Sequence, residues 1–256
     1  QLRRGPVCTL TMHPHAVCMR KAGEHLLKKE FLEAVHALQP LLEDEPNNKQ
    51  ALYVTGSSYF WAGKFSEAIL YFEKARSKGV QEPALLAELG DAYFNINSFD
   101  SAAQVYDELL AFQENTGALI SLGRCHTLKS NPDYAKALTY HLRLYQIEPA
   151  NFLNLVFSGD CYYNLTPNDN QNAFIYYYKA FEINPDHLAL VKMLDQTASA
   201  LEYKEASIEQ REKIYSKYIA LEPGNIKPYV FMGLTLENKT PPEYDLALSY
   251  YKQAFG

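Results

Sequence analysis

Small and aromatic residues recur along this chain at a fixed distance on a helical background. In the stretch LLAELGDAYFNINSFDSAAQVYDELL, residues 85–110, apolar positions return every three or four residues, which predicts two amphipathic helices joined at NINS. Gly90 stands in the middle of the first, followed by Tyr93, Ala102 and Tyr106. The same order appears as Gly56, Tyr59, Ala68, Phe72 and as Gly159, Tyr162, Ala173, Tyr177. Ala34, Ala68 and Ala102 are each 34 residues apart. Pro46, Pro149, Pro185 and Pro223 close units in the strings DEPNN, IEPAN, INPDH and LEPGN. A glycine inside a helix costs about 1 kcal/mol relative to alanine. The expectation is that small residues let two helices approach closely, with aromatics filling the gaps between pairs.

This pattern resembles the tetratricopeptide repeat, a helix–turn–helix of 34 residues with small residues at two set places. Leu86, Leu89, Gly90, Tyr93, Ala102 and Tyr106 carry it in one copy, and LYVTGSSYFWAGKFSEAILYFEKA in another. Five copies centre on Gly56, Gly90, Gly123, Gly159 and Gly233, and a sixth has Ala22 in that place. The resemblance implies an all-α, right-handed superhelical solenoid of about seven helix–turn–helix pairs. The units are assigned as 15–48, 49–82, 83–115, 116–151, 152–187, 188–225 and 226–256, after a flexible lead-in at 1–14.

Departures from the repeat carry information. The two small residues are 12 apart in the first three units and 14 apart in Gly123–Ala137, Gly159–Ala173 and Gly233–Ala247. The extra residues fall in SNPD, TPNDNQ and TPPEYD, which predicts longer turns projecting from one edge. The sixth unit has no glycine, and Arg211 replaces its second small residue, so a longer helix pair and altered curvature are expected there. Tyr251 and Phe255 lie near the end of SYYKQAFG. A continuing chain, self-association or a capping partner would cover them.

Composition narrows the function. With 24 Lys+Arg against 30 Asp+Glu in 256 residues, the formal charge is −6, which argues against a nucleic-acid backbone binder. Residues 1–30 hold six basic and two acidic side chains, so the remainder is acidic: either a solvated surface or one that favours a basic partner. Four cysteines make no disulfide framework. No apolar run reaches the roughly 18 residues of a membrane span, and the N-terminus lacks a signal peptide's apolar core. These features lean toward an intracellular, cytoplasmic protein.

Catalytic signatures are missing. There is no Gly-rich phosphate loop, GxSxG, HExxH or EF-hand loop, so no enzyme and no cofactor are expected. Cys8, His13, His15 and Cys18 offer four metal-ligand types, but C-x4-H-x-H-x2-C matches no common finger. The reading is a leader followed by a buried Cys18, with no metal. Cys125 and Cys161 occupy equivalent places and read as buried small apolar residues.

The family resemblance implies that the first helix of each unit lines a concave groove. Carried onto this chain, the groove positions are Tyr53, Ser57, Phe60 and Trp61, then Asp91, Phe94 and Asn95, then Arg124, and then Asp160, Tyr163 and Asn164. Such a surface suits a peptide: aromatics supply buried area, and Asn and Asp bond its backbone. The carboxylate clamp of chaperone-binding relatives needs Lys, Asn and Arg, where this chain has Tyr53, Ser57, Glu88, Gly117 and Ser121. The expected function is a non-enzymatic scaffold or adaptor holding a protein or peptide in the groove. The alternatives are a subunit of a large assembly, bound by its edges and C-terminal end, or a regulatory segment of a longer enzyme.

Overall fold

The computed structural model describes residues 14–200 and 206–256, and among these it contains fourteen α-helices and no strand. The helices are α1 (Pro14–Leu27), α2 (Phe31–Asp44), α3 (Lys49–Trp61), α4 (Phe65–Ser77), α5 (Pro83–Asn95), α6 (Phe99–Phe112) and α7 (Thr116–Leu128). They continue as α8 (Tyr134–Ile147), α9 (Phe152–Asn164), α10 (Asn170–Ile183), α11 (Leu188–Ala200), α12 (Ile208–Leu221), α13 (Ile226–Glu237) and α14 (Tyr244–Phe255). Two compact units result, one ending at Cys125 and the other beginning at His126, so α7 carries the boundary.

Local chemistry sets the helix starts. Asn48, Asn151 and Asn225, just after the prolines of DEPNN, IEPAN and LEPGN, cap α3, α9 and α13 by accepting backbone N–H bonds. Pro83 opens α5 at the first turn, where its missing N–H is harmless. Ser207 and Gln210 form a capping box on α12.

Within a pair, the turn closes by one recurring bond. The amide just ahead of the second helix donates to a carbonyl near the end of the first: Lys64 to Tyr59, Ser98 to Tyr93, Asp169 to Tyr162 and Glu243 to Leu236, at 2.9–3.1 Å. The donor lies five residues on in the short turns and seven on in the long ones. The short turns each need one residue in the left-handed region, namely Lys29, Gly63 and Asn97, at φ 60°, 74° and 61°. The two extra residues of the long turns leave the closing bond in place.

Some aromatics meet between pairs, as the sequence suggested, Tyr145 against Tyr176 and Tyr215 against Phe231, but those at the repeat position, Phe72, Tyr106, Tyr177 and Tyr251, do not. They sit inside each pair, on the glycine. A Cβ on Gly56 would lie 2.6 Å from the Phe72 ring, one on Gly159 would lie 2.5 Å from Tyr177, and one on Gly233 would lie 2.4 Å from Tyr251. In the sixth pair, Asp195 holds the glycine's place. Its carboxylate is 3% exposed, accepts from the Tyr215 hydroxyl at 3.3 Å, and pairs with Lys227. The second helix of that pair is not lengthened: α12 has 14 residues, as α10 does. The link at 201–205 lies outside the described residues.

Cys8 and His13 of the metal candidate also lie outside the described residues. His15 meets Asp44 and Glu45 at 2.8 and 3.1 Å, and Cys18 packs beside buried Ala22, Ala34 and Leu38. Cys125 and Cys161 are buried, and burial pushes both thiols up to about 12.

Candidate functional site

In the first unit, α3, α5 and α7 bring eight of the sequence-selected residues onto neighbouring helices, and none of the eight is fully buried. Phe60 stacks edge-on against Trp61 (5.3 Å, 86°) and against Phe65 at the start of α4 (5.7 Å, 66°). Phe94 repeats the second contact one unit later, on Phe99 (5.3 Å, 70°). Trp61 leaves 60% of its surface in solvent. The Arg124 guanidinium lies 4.7 Å over the Phe94 ring, a cation–π contact.

Glu88 of α5 joins this cluster. Its carboxylate accepts the Ser57 hydroxyl at 2.5 Å, and the indole N–H of Trp61 lies near enough to favour its charged form. Burial pushes Glu88 above the usual carboxylate range, and the neighbouring Asp91 adds to the effect. Tyr53 tilts onto Phe72 (6.2 Å), and its hydroxyl is raised by burial and by Glu88. The sequence signal for Glu88 was its spacing: Glu88 and Asp91 are three apart on α5 and so share a face.

The polar residues are engaged differently from the sequence expectation. Asp91 accepts the Tyr106 hydroxyl at 2.5 Å, and burial raises its carboxyl. Asn95 donates its amide back to the Asp91 carbonyl at 2.8 Å. Asp91 therefore ties the first helix to the second, and Asn95 closes its own helix end.

The second unit repeats this arrangement in α9 and α10. Tyr177 donates to Asp160 at 2.6 Å, Asp160 is likewise raised by burial, and Asn164 donates to the Asp160 carbonyl at 2.8 Å. Tyr163 accepts from the Gln196 amide at 2.5 Å. On the second helices, Lys179 donates to the Tyr145 hydroxyl at 2.9 Å and lies over the rings of Tyr145 and Tyr176, joining α8 to α10. No cluster of three or more metal-ligating side chains occurs among the described residues, and no helix there is long and apolar enough to cross a membrane.

The tetratricopeptide repeat profile matches residues 28–83 and 62–118. A curated relative, the protein CTR9 homolog of Arabidopsis thaliana, is 28% identical over 116 residues, covering 44% of this chain and 11% of its own length. The chain thus spans a small part of that relative. Among solved structures, MamA superposes with a TM-score of 0.60 at 22% identity, over 66% of this chain and 91% of MamA. YrrB, described as a tetratricopeptide-repeat protein with an unusual peptide-binding site, gives 0.60 at 16% identity over 85% of this chain and 99% of its own. The fold is that of an all-α repeat solenoid.

Proposed function

We propose that the chain, which matches the tetratricopeptide repeat over residues 28–118 and shares its fold, is a non-enzymatic adaptor that holds a peptide or protein segment against its first helices. One observation carries the reading. Core packing consumes the aromatics of the second helices, on Gly56, Gly90, Gly159 and Gly233, yet Phe60, Trp61 and Phe94 stay partly open on the first helices. Large aromatics held rigid at a surface give binding area at little entropic cost. A peptide-binding site on a protein of the same fold, YrrB, is consistent with this use of the fold.

The test is a pull-down from the native cell, with wild type beside the Phe60→Ala/Phe94→Ala/Tyr163→Ala variant and circular dichroism on both. A partner lost with the folded variant supports the groove. Partners retained unchanged would sink it.

A second reading, a subunit of a larger assembly, is favoured by the surface of α14. Leu248 and Phe255 are 50% and 77% exposed, whereas their equivalents in the fifth pair, Phe174 and Phe181, are buried. Partners lost with Leu248→Ser/Phe255→Ser, and not with the groove variant, would support this reading over the first.

A further inference from the structure

The face that carries Trp61 also carries uncompensated negative charge. Glu88 and Asp91 have neutral partners: the Ser57 hydroxyl and Trp61 indole for one, and the Tyr106 hydroxyl for the other. Among the described residues, neither carboxylate pairs with a lysine, arginine or histidine. A half-buried carboxylate that lacks a counter-ion is costly, and a cation brought from outside relieves that cost. The surroundings have the same sign, with ten Lys+Arg against fifteen Asp+Glu in residues 14–125.

The chain itself supplies a precedent one unit further on. There, Arg124 of α7 lies over Phe94 of α5. One unit earlier, the equivalents of Phe94 and Arg124 are Phe60 and Asp91. The aromatic is kept, while the guanidinium's place holds a carboxylate. Among the described residues, no cation lies over Phe60 or Trp61. An exposed indole beside a carboxylate offers both a cation–π face and a charge-assisted hydrogen bond.

The geometry points to a subsite for a lysine or arginine side chain of a basic partner peptide, over the exposed face of the Trp61 ring with its charge turned toward the Glu88 carboxylate. This rests on the groove reading and names the partner's chemistry. Trp61 is the chain's single tryptophan, so its emission reports on the subsite directly. The probes are a short acetylated and amidated leucine–alanine peptide carrying two arginines, its citrulline counterpart and its glutamate counterpart.

The arginine peptide should shift Trp61 emission saturably. The citrulline peptide should bind about tenfold more weakly or worse, and the glutamate peptide should give no response. Glu88→Gln, which keeps an acceptor for Ser57 and Trp61, should weaken the arginine peptide by about tenfold with unchanged circular dichroism. If that variant does not fold, Trp61→Leu followed by calorimetry should show the same loss. Equal binding of arginine and citrulline peptides, no response to the arginine peptide, or wild-type affinity in the folded variant overturns the subsite. If the cellular partner is still lost with the Phe60/Phe94/Tyr163 alanine variant, the groove stands without the subsite. If that partner is retained, the groove reading itself has failed.

Discussion

Gly90 lies against the ring of Tyr106, so closely that a Cβ on it would come within 2.6 Å of Cε1 and 2.8 Å of Cδ1. The ring cannot easily move aside, because its hydroxyl is bonded to Asp91 on the next residue of the same helix. The glycine is therefore the space that the tyrosine fills.

Gly90→Ala should destabilise the protein by about 1–3 kcal/mol, since overpacking outweighs the roughly 1 kcal/mol of helix propensity gained. A Cβ on Gly23, in α1, would meet nothing within 4 Å. There the same substitution should stabilise by up to about 1 kcal/mol. Urea unfolding of both variants checks the opposite signs.

Lys29 carries a side chain in the left-handed region, at φ 60°, where Gly63 stands in the next turn. Lys29→Gly should raise stability by about 0.5–1 kcal/mol, the relief of left-handed strain less the greater entropy loss of glycine. Gly63→Ala should lower it by about 1 kcal/mol. Thermal melts of the two variants are the measurement.

His141 is fully buried. Its Nδ1 donates to the Asn154 side chain at 2.9 Å, and its Nε2 has no hydrogen-bond partner among the described residues. Burial lowers its pKa from 6.5 to about 4. A depressed folded-state value means that its contribution is present above 6.5 and is lost as pH falls toward 4, by on the order of 3 kcal/mol. Glu88, Asp91 and Asp160 have raised values, so they act in the opposite sense: their contribution is full at acid pH and is lost as pH rises through their folded pKa. Subtracting the pH–stability curve of His141→Gln from that of the wild type should leave a loss confined to that window. A flat difference would contradict it.

Asp195 and Lys227 form a pair in which the carboxylate is buried and the ammonium half-exposed. Lys227→Met should cost about 2–4 kcal/mol by leaving the carboxylate, among the described residues, with the Tyr215 hydroxyl alone. Adding Asp195→Ala should restore part of that, so a double-mutant cycle in denaturant should give a coupling above about 1 kcal/mol.

The sequence by itself determined what depends on neighbours along the chain. A period of 3.6 and the prolines that close units define the helices. Glycine and aromatic at set spacing mark where each pair recurs, and 12 against 14 residues between small positions separates short turns from long ones. Each of these signals lies within one helix pair. Only the tertiary structure decided what meets across helices. It placed Tyr106 inside its pair, Glu88 between Ser57 and Trp61, Arg124 on Phe94, and Lys227 on Asp195, which stands where the repeat has glycine. These contacts join residues 15 to 32 positions apart. The helix crossings that set them depend on the summed packing of every side chain between, and no local pattern encodes that sum.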